Sequence, residues 1–89
     1  MGADAADAVR ARLAWRCRRG TKELDLLLQR WLARVYPTAH AGSRALFESL
    51  LELPDPELSD YLLGGARPDR EDLAALIEAI RTLPPLAPR

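Results

Sequence analysis

The sequence predicts an all-α protein, a compact five-helix bundle forming one small domain over residues 1–89. Three observations predict it. Wherever periodicity is clear, apolar residues recur at i, i+3, i+4 and i+7, the spacing that gathers side chains on one helix face. No stretch alternates apolar with polar residues as a half-buried strand does. Breakers at Gly20, Pro37, Pro54, Gly64 and Pro84 divide the chain into pieces of helix length. A chain of 89 residues buries only about 60–65% of its unfolded surface, enough for one core and too little for a deep internal active site.

The first helix is expected from about Asp4 to Arg18, with Val9, Leu13 and Cys17 as its apolar stripe. Trp15 lies off that stripe, three residues after Arg12 and four before Arg19. A helix running that far would put Arg12, Trp15 and Arg19 on one face. Gly20 stops this helix and Thr21 is a candidate N-cap for the next. The second helix carries Leu24, Leu27, Leu28, Trp31, Leu32 and Val35 at helical spacing. Glu23 and Asp25 occupy its first turn, where the macrodipole favours negative charge. Tyr36-Pro37 ends it, because the residue before a proline is pushed out of the helical region. Leu46, Phe47, Leu50 and Leu51 mark a third helix whose start is weakly signalled: Ala39-His40-Ala41-Gly42 has no strong cap before Ser43. Asp55 is the expected cap of the fourth helix, with Pro56 at its first helical position and Glu57 complementing the dipole. That helix carries Leu58, Tyr61 and Leu62 and closes at Gly64-Gly65. Asp69 is read as the cap of the last helix, whose stripe is Leu73, Leu76, Ile77 and Ile80. Ordered helices thus span about 4–83, and 84–89 is a proline-rich, non-helical tail.

Composition excludes several classes of function. With 13 basic and 13 acidic side chains the net charge is zero, which argues against a protein devoted to non-specific nucleic-acid binding. The charge is unevenly placed, however. Arg10, Arg12, Arg16, Arg18, Arg19 and Lys22 gather early, while Asp55, Glu57, Asp60, Asp69, Glu71 and Asp72 lie later. One cysteine (Cys17) and one histidine (His40) allow neither an internal disulfide nor a Cys/His zinc site. No phosphate-binding glycine loop and no Ser-His-Asp arrangement is present, so the chain is read as not an enzyme, with no catalytic, cofactor-binding or metal-binding residues. Met1–Asp7 has no cationic start followed by an apolar core, and Asp4 and Asp7 are foreign to an acid-poor presequence. No apolar run approaches the roughly 20 residues of a membrane span. The expectation is a cytoplasmic protein without membrane insertion.

The most informative stretch is Leu13–Asp25, where a basic, Trp-bearing segment, a helix-breaking glycine and two carboxylates fall within one turn region. Trp15 either packs beneath arginine stems or forms part of a contact patch, Trp and Arg being enriched at interface hot spots. Gly20 reaches positive φ as a helix stop, and its bare Cα also leaves room for a partner's surface. Glu23 and Asp25 either satisfy a helix start and nearby arginines or orient Arg19 and accept hydrogen bonds from outside. Cys17 reads as a small core residue, and His40 as a solvated side chain.

This stretch resembles the signature of the succinate dehydrogenase assembly factors, Arg-Gly-x-x-Glu extended by Leu-Asp, here Arg19-Gly20-Thr21-Lys22-Glu23-Leu24-Asp25. The resemblance continues through Trp15-x-Cys17-Arg18, Tyr36-Pro37, Leu50-Leu51-Glu52, Asp55-Pro56-Glu57-Leu58 and Tyr61-Leu62, from about Arg12 to Arg81. The Thr38–Ser43 link departs from the family pattern, which is commonly acidic and better capped there. The resemblance implies a five-helix bundle that binds the flavoprotein subunit of succinate dehydrogenase, and in bacteria of fumarate reductase, and promotes covalent FAD attachment. It implies no permanently bound cofactor. The bond forms between a flavoprotein histidine and the flavin 8α-methyl carbon, so His40 has no part in it. Partner-binding residues carried over are Arg19, Gly20, Glu23 and Asp25, with Arg12, Trp15 and Arg18 as accompanying positions. A monomer is expected when free. The alternative is a small helical module using the Arg10–Lys22 basic patch to bind nucleic acid or a toxin-type protein partner; carboxylates within the patch weaken the nucleic-acid form.

Overall fold

Leucine spacing decides which way each helix turns, and the apolar stripes converge as their periods require. The structure, a computed structural model, describes residues 2–84, with side chains described from Ala8 onward; the expected tail beyond Pro84 lies outside the described residues. Among these, the order is α1 (Gly2–Arg16), α2 (Lys22–Arg34), a 3₁₀ turn (Tyr36–Thr38), α3 (Ala41–Leu50), α4 (Asp55–Leu62) and α5 (Glu71–Thr82). The all-α, five-helix expectation holds. α5 packs against α2, α3 and α4, and α1 lies on α2.

The core is assembled from the predicted stripes. Leu13 and Cys17 of the first segment, Leu24, Leu28, Trp31 and Leu32 of α2, Phe47, Leu50 and Leu51, Leu58 and Leu62, and Leu76, Ile77 and Ile80 are all buried. Val9, Leu27, Val35, Leu46, Tyr61 and Leu73 are partly buried against them. At its centre Trp31 stacks on Phe47 with ring centroids 4.5 Å apart, and Tyr36 meets both rings at an angle, the offset and tilted geometries that aromatic quadrupoles favour. The Tyr36 hydroxyl donates to Glu48 at 3.0 Å. Burial and that carboxylate together raise the Tyr36 hydroxyl above its ordinary value.

The caps differ from expectation, each for a local reason. Thr21 occupies the N-cap position of α2 with extended backbone, but its side chain makes no cap bond. α4 begins one residue early: Pro54 is its N-cap, so Asp55 lies inside the first turn, where its carboxylate takes Arg19 instead. Arg70, not Asp69, precedes α5. There Asp72 accepts both Arg70 and the Leu73 amide, and Arg70 lowers the Asp72 carboxyl. The weakly signalled start of α3 is held from a distance. Arg44 donates to the carbonyls of Tyr36 and Pro37 at 3.0 and 2.7 Å and lies over the Tyr36 ring. Gly65, at φ +83°, closes α4 as expected, and the Ala66 amide donates back to Asp60 at 3.0 Å.

Cys17 is fully buried, and that burial pushes its thiol up from 9.0 to about 12. A thiol-specific reagent at pH 8 is therefore expected to label Cys17 only as fast as the chain unfolds. The linkage has a definite sign. The unfolded thiol ionises from about pH 9 and the folded one does not, so stability contributed by the neutral thiol is full below pH 9 and lost as pH rises toward 12. Denaturation of the parent and of Cys17→Ala across that range checks it: the parent's extra loss of stability at high pH is expected to be absent from the variant.

Candidate functional site

The site lies where α1 gives way to α2. α1 ends at Arg16, two residues short of the expected Arg18, and the chain unwinds through Cys17 and Arg18, whose amides return to Leu13 and Trp15. Gly20 then takes φ +84°, a left-handed conformation costing an L side chain roughly 1–2 kcal/mol. A Cβ built there meets nothing within 4 Å. Open space and positive φ occur together at Gly20.

The early end of α1 corrects the expected Arg12–Trp15–Arg19 face. Arg19 lies beyond the helix and turns inward. Its guanidinium donates to the carbonyls of Leu51 and Leu53 and to Asp55 Oδ1 at 3.1 Å, and only 14% of its side chain is exposed. Its Nε is buried without a partner. The Arg19 amide donates to Asp25 Oδ1 at 2.6 Å, so Asp25 ties the turn to the first coil of α2. Arg19 is thus a staple joining three elements: the turn, the α3 C-terminus and the start of α4. It also joins the two most distinctive motif segments, Arg19–Asp25 and Asp55–Leu58. Arg16 reinforces it, donating to the Glu48 carbonyl at 3.4 Å and approaching Glu52 at 3.9 Å.

The outward set is therefore Trp15, Arg12, Arg18, Gly20 and Glu23, all exposed. Trp15 is 70% exposed, the largest such apolar side chain among the described residues. Arg18, rather than Arg19, covers it, with its guanidinium carbon 5.6 Å from the ring centroid. Two hollows run from this Trp along the seam of α1 and α2, lined by Arg10, Ala11, Ala14, Gln29, Leu32 and Ala33. Sequence reading placed Arg10 in the basic patch but missed Ala11, Gln29 and Ala33 as surface features, because alanine and glutamine carry no periodic signal. His40 is exposed at the N-cap position of α3 and is not brought to the corner. Among the described residues no group of His, Cys, Asp and Glu could hold a metal ion, and no helix is long and apolar enough to cross a membrane.

Comparison with known proteins agrees with the motif. The family described as "Flavinator of succinate dehydrogenase" matches residues 11–84, a span that contains the whole corner. A protein of Methylococcus capsulatus named FAD assembly factor SdhE is 45% identical over 74 residues, covering 83% of this chain and 89% of the relative. Proteins of the same name from Legionella pneumophila (strain Paris) and Coxiella burnetii are 39% and 36% identical over 72 residues, covering 81% of this chain and 90% and 88% of theirs. With its Arg-Gly-x-x-Glu corner inside a match of that length, the chain belongs to the family of succinate dehydrogenase flavinators.

Proposed function

We propose that this chain is an assembly factor that binds the flavoprotein subunit of succinate dehydrogenase and promotes covalent attachment of FAD to it. The observation carrying this is the exposed corner itself: Trp15 under Arg18, beside a glycine with positive φ and free space, on an otherwise ordinary helical bundle. Exposed Trp flanked by Arg is the composition of an interface hot spot. Arg12, Trp15, Arg18, Gly20 and Glu23 make the contact, while Arg19 and Asp25 hold the corner in shape. The chain supplies no reacting group. It keeps no FAD of its own and acts on the partner's flavin by favouring the arrangement in which the flavoprotein's own groups react, raising the population of a productive geometry. The same surface serves a fumarate reductase flavoprotein, and the free factor acts as a monomer in the cytoplasm.

Deleting the gene and reading covalent flavin fluorescence of the denatured flavoprotein on a gel tests the proposal. Loss of the fluorescent band, restored by the parent chain, is expected. An equally bright band in the deletion strain would overturn it.

A further inference from the structure

The seam between α1 and α2 extends well past the Gly20 corner. A groove of about 460 Å³ is lined by Arg10, Ala11 and Ala14 on one side and by Gln29, Leu32 and Ala33 on the other. It adjoins a second hollow of about 420 Å³ bounded by Trp15 and Arg18, sharing Ala11, Ala14 and Gln29. The two make one continuous trough ending at Trp15. Leu26, 55% exposed, lies one turn before Gln29 on the same side of α2 and prolongs the apolar strip.

The walls are electrically one-sided. The two charged residues that line the trough, Arg10 and Arg18, are both cationic; the acids of α1, Asp4 and Asp7, precede every lining residue in the sequence, and Leu26–Arg34 has no Asp or Glu. The acids of α2, Glu23 and Asp25, are confined to its first turn, and Asp25 is occupied by the Arg19 amide. An apolar floor that admits close approach, with cations along its edge, fits an amphipathic segment with acidic flanks.

We infer that the α1–α2 trough is a second docking surface, which takes an acidic amphipathic segment of the flavoprotein, its apolar side chains on Ala11, Ala14 and Ala33 and its carboxylates at Arg10 and Arg18. This rests on the proposed function and adds a contact area, continuous with the corner at Trp15, together with the chemistry of what fills it. Steering by the cationic edge also makes association sensitive to salt.

Ala11 and Ala33 are exposed helix positions, where Glu and Lys are nearly as good helix formers as Ala. The test measures affinity for purified flavoprotein subunit carrying non-covalent FAD, with circular dichroism confirming the fold of each variant. Ala33→Glu and Ala11→Glu are expected to weaken binding by about tenfold or more, the range of a disrupted hot-spot contact. Ala33→Lys, which adds similar bulk but the complementary charge, is expected to lose clearly less, and Ala79→Glu on α5 to lose nothing. Parental affinity in both Glu variants would overturn the inference while leaving the proposed function standing. A Lys variant as weak as its Glu counterpart would refute an acidic occupant. Failure of the parent itself to bind would remove the proposed function, and this inference with it.

Discussion

Replacing Arg19 with Ala is expected to destabilise the fold by about 3 kcal/mol, the range for removing one partner of a largely buried, hydrogen-bonded charge network. Three acceptors lose their donor at once: the carbonyls of Leu51 and Leu53 and the Asp55 carboxylate. Asp55 is half exposed, and water replaces its lost bond cheaply; the carbonyls at the end of α3 are the costly ones. Arg19→Lys is expected to recover little, because an ammonium on a flexible stem cannot serve divergent acceptors as a planar fork does. Asp55→Ala is expected to cost about 0.5–1 kcal/mol, as a partly exposed ion pair does. Chemical denaturation followed by far-UV circular dichroism checks all three. A loss under about 1 kcal/mol for Arg19→Ala would refute the staple, since surface substitutions commonly fall in that range. A destabilised Arg19 variant is also expected to support flavinylation of the partner poorly for a structural reason, which makes stability the readout that tests the staple.

Gly20→Arg separates contact from stability in the opposite sense. The backbone there costs any L residue roughly 1–2 kcal/mol because of its positive φ, while the empty space around it spares the fold a steric clash. The variant is therefore expected to fold, with somewhat reduced stability, and to bind the flavoprotein about 30-fold more weakly, the equivalent of about 2 kcal/mol lost to bulk in the contact. Gly20→Ala is the control. It carries the same backbone strain without the bulk and is expected to keep most of the affinity. Equal losses for Ala and Arg would trace the effect to the backbone and deny Gly20 a place at the contact.

Much of this architecture was legible in the residues, and the illegible parts share a cause. The stripes of α2 and α5 declared themselves because burial of leucines and isoleucines at a 3.6-residue period is a local signal. Caps are not so local. Asp55 has the right chemistry for an N-cap, yet a residue thirty-six positions earlier claims its carboxylate. Arg44 holds the start of α3 by reaching back to Tyr36 and Pro37, a bond that no cap rule describes. Placing Arg19 beside Trp15 failed because α1 ends at Arg16, which removes the last half-turn on which that geometry relied. Gly20 signals that the helix stops but not at which residue, because a left-handed glycine commonly follows a helix end directly. Trp15 could not be resolved from spacing, since a Trp off the apolar stripe of a small bundle either meets a neighbouring helix or meets solvent. The alanines of the α1–α2 trough were silent for a simpler reason, being neither polar enough nor large enough to announce a face.

The central claim is that the outward corner from Arg12 to Glu23 is where a larger flavoprotein seats. Hydrogen exchange of the chain, alone and with the purified flavoprotein subunit, reads this peptide by peptide. α2 begins without a side-chain cap, so amides around Gly20 and Lys22 are expected to exchange quickly in the free chain. On addition of the flavoprotein, exchange is expected to slow in peptides covering residues 10–26, with α4 and α5 little changed. Slowing confined to α4 and α5, with the Gly20 corner exchanging as in the free chain, would contradict the account.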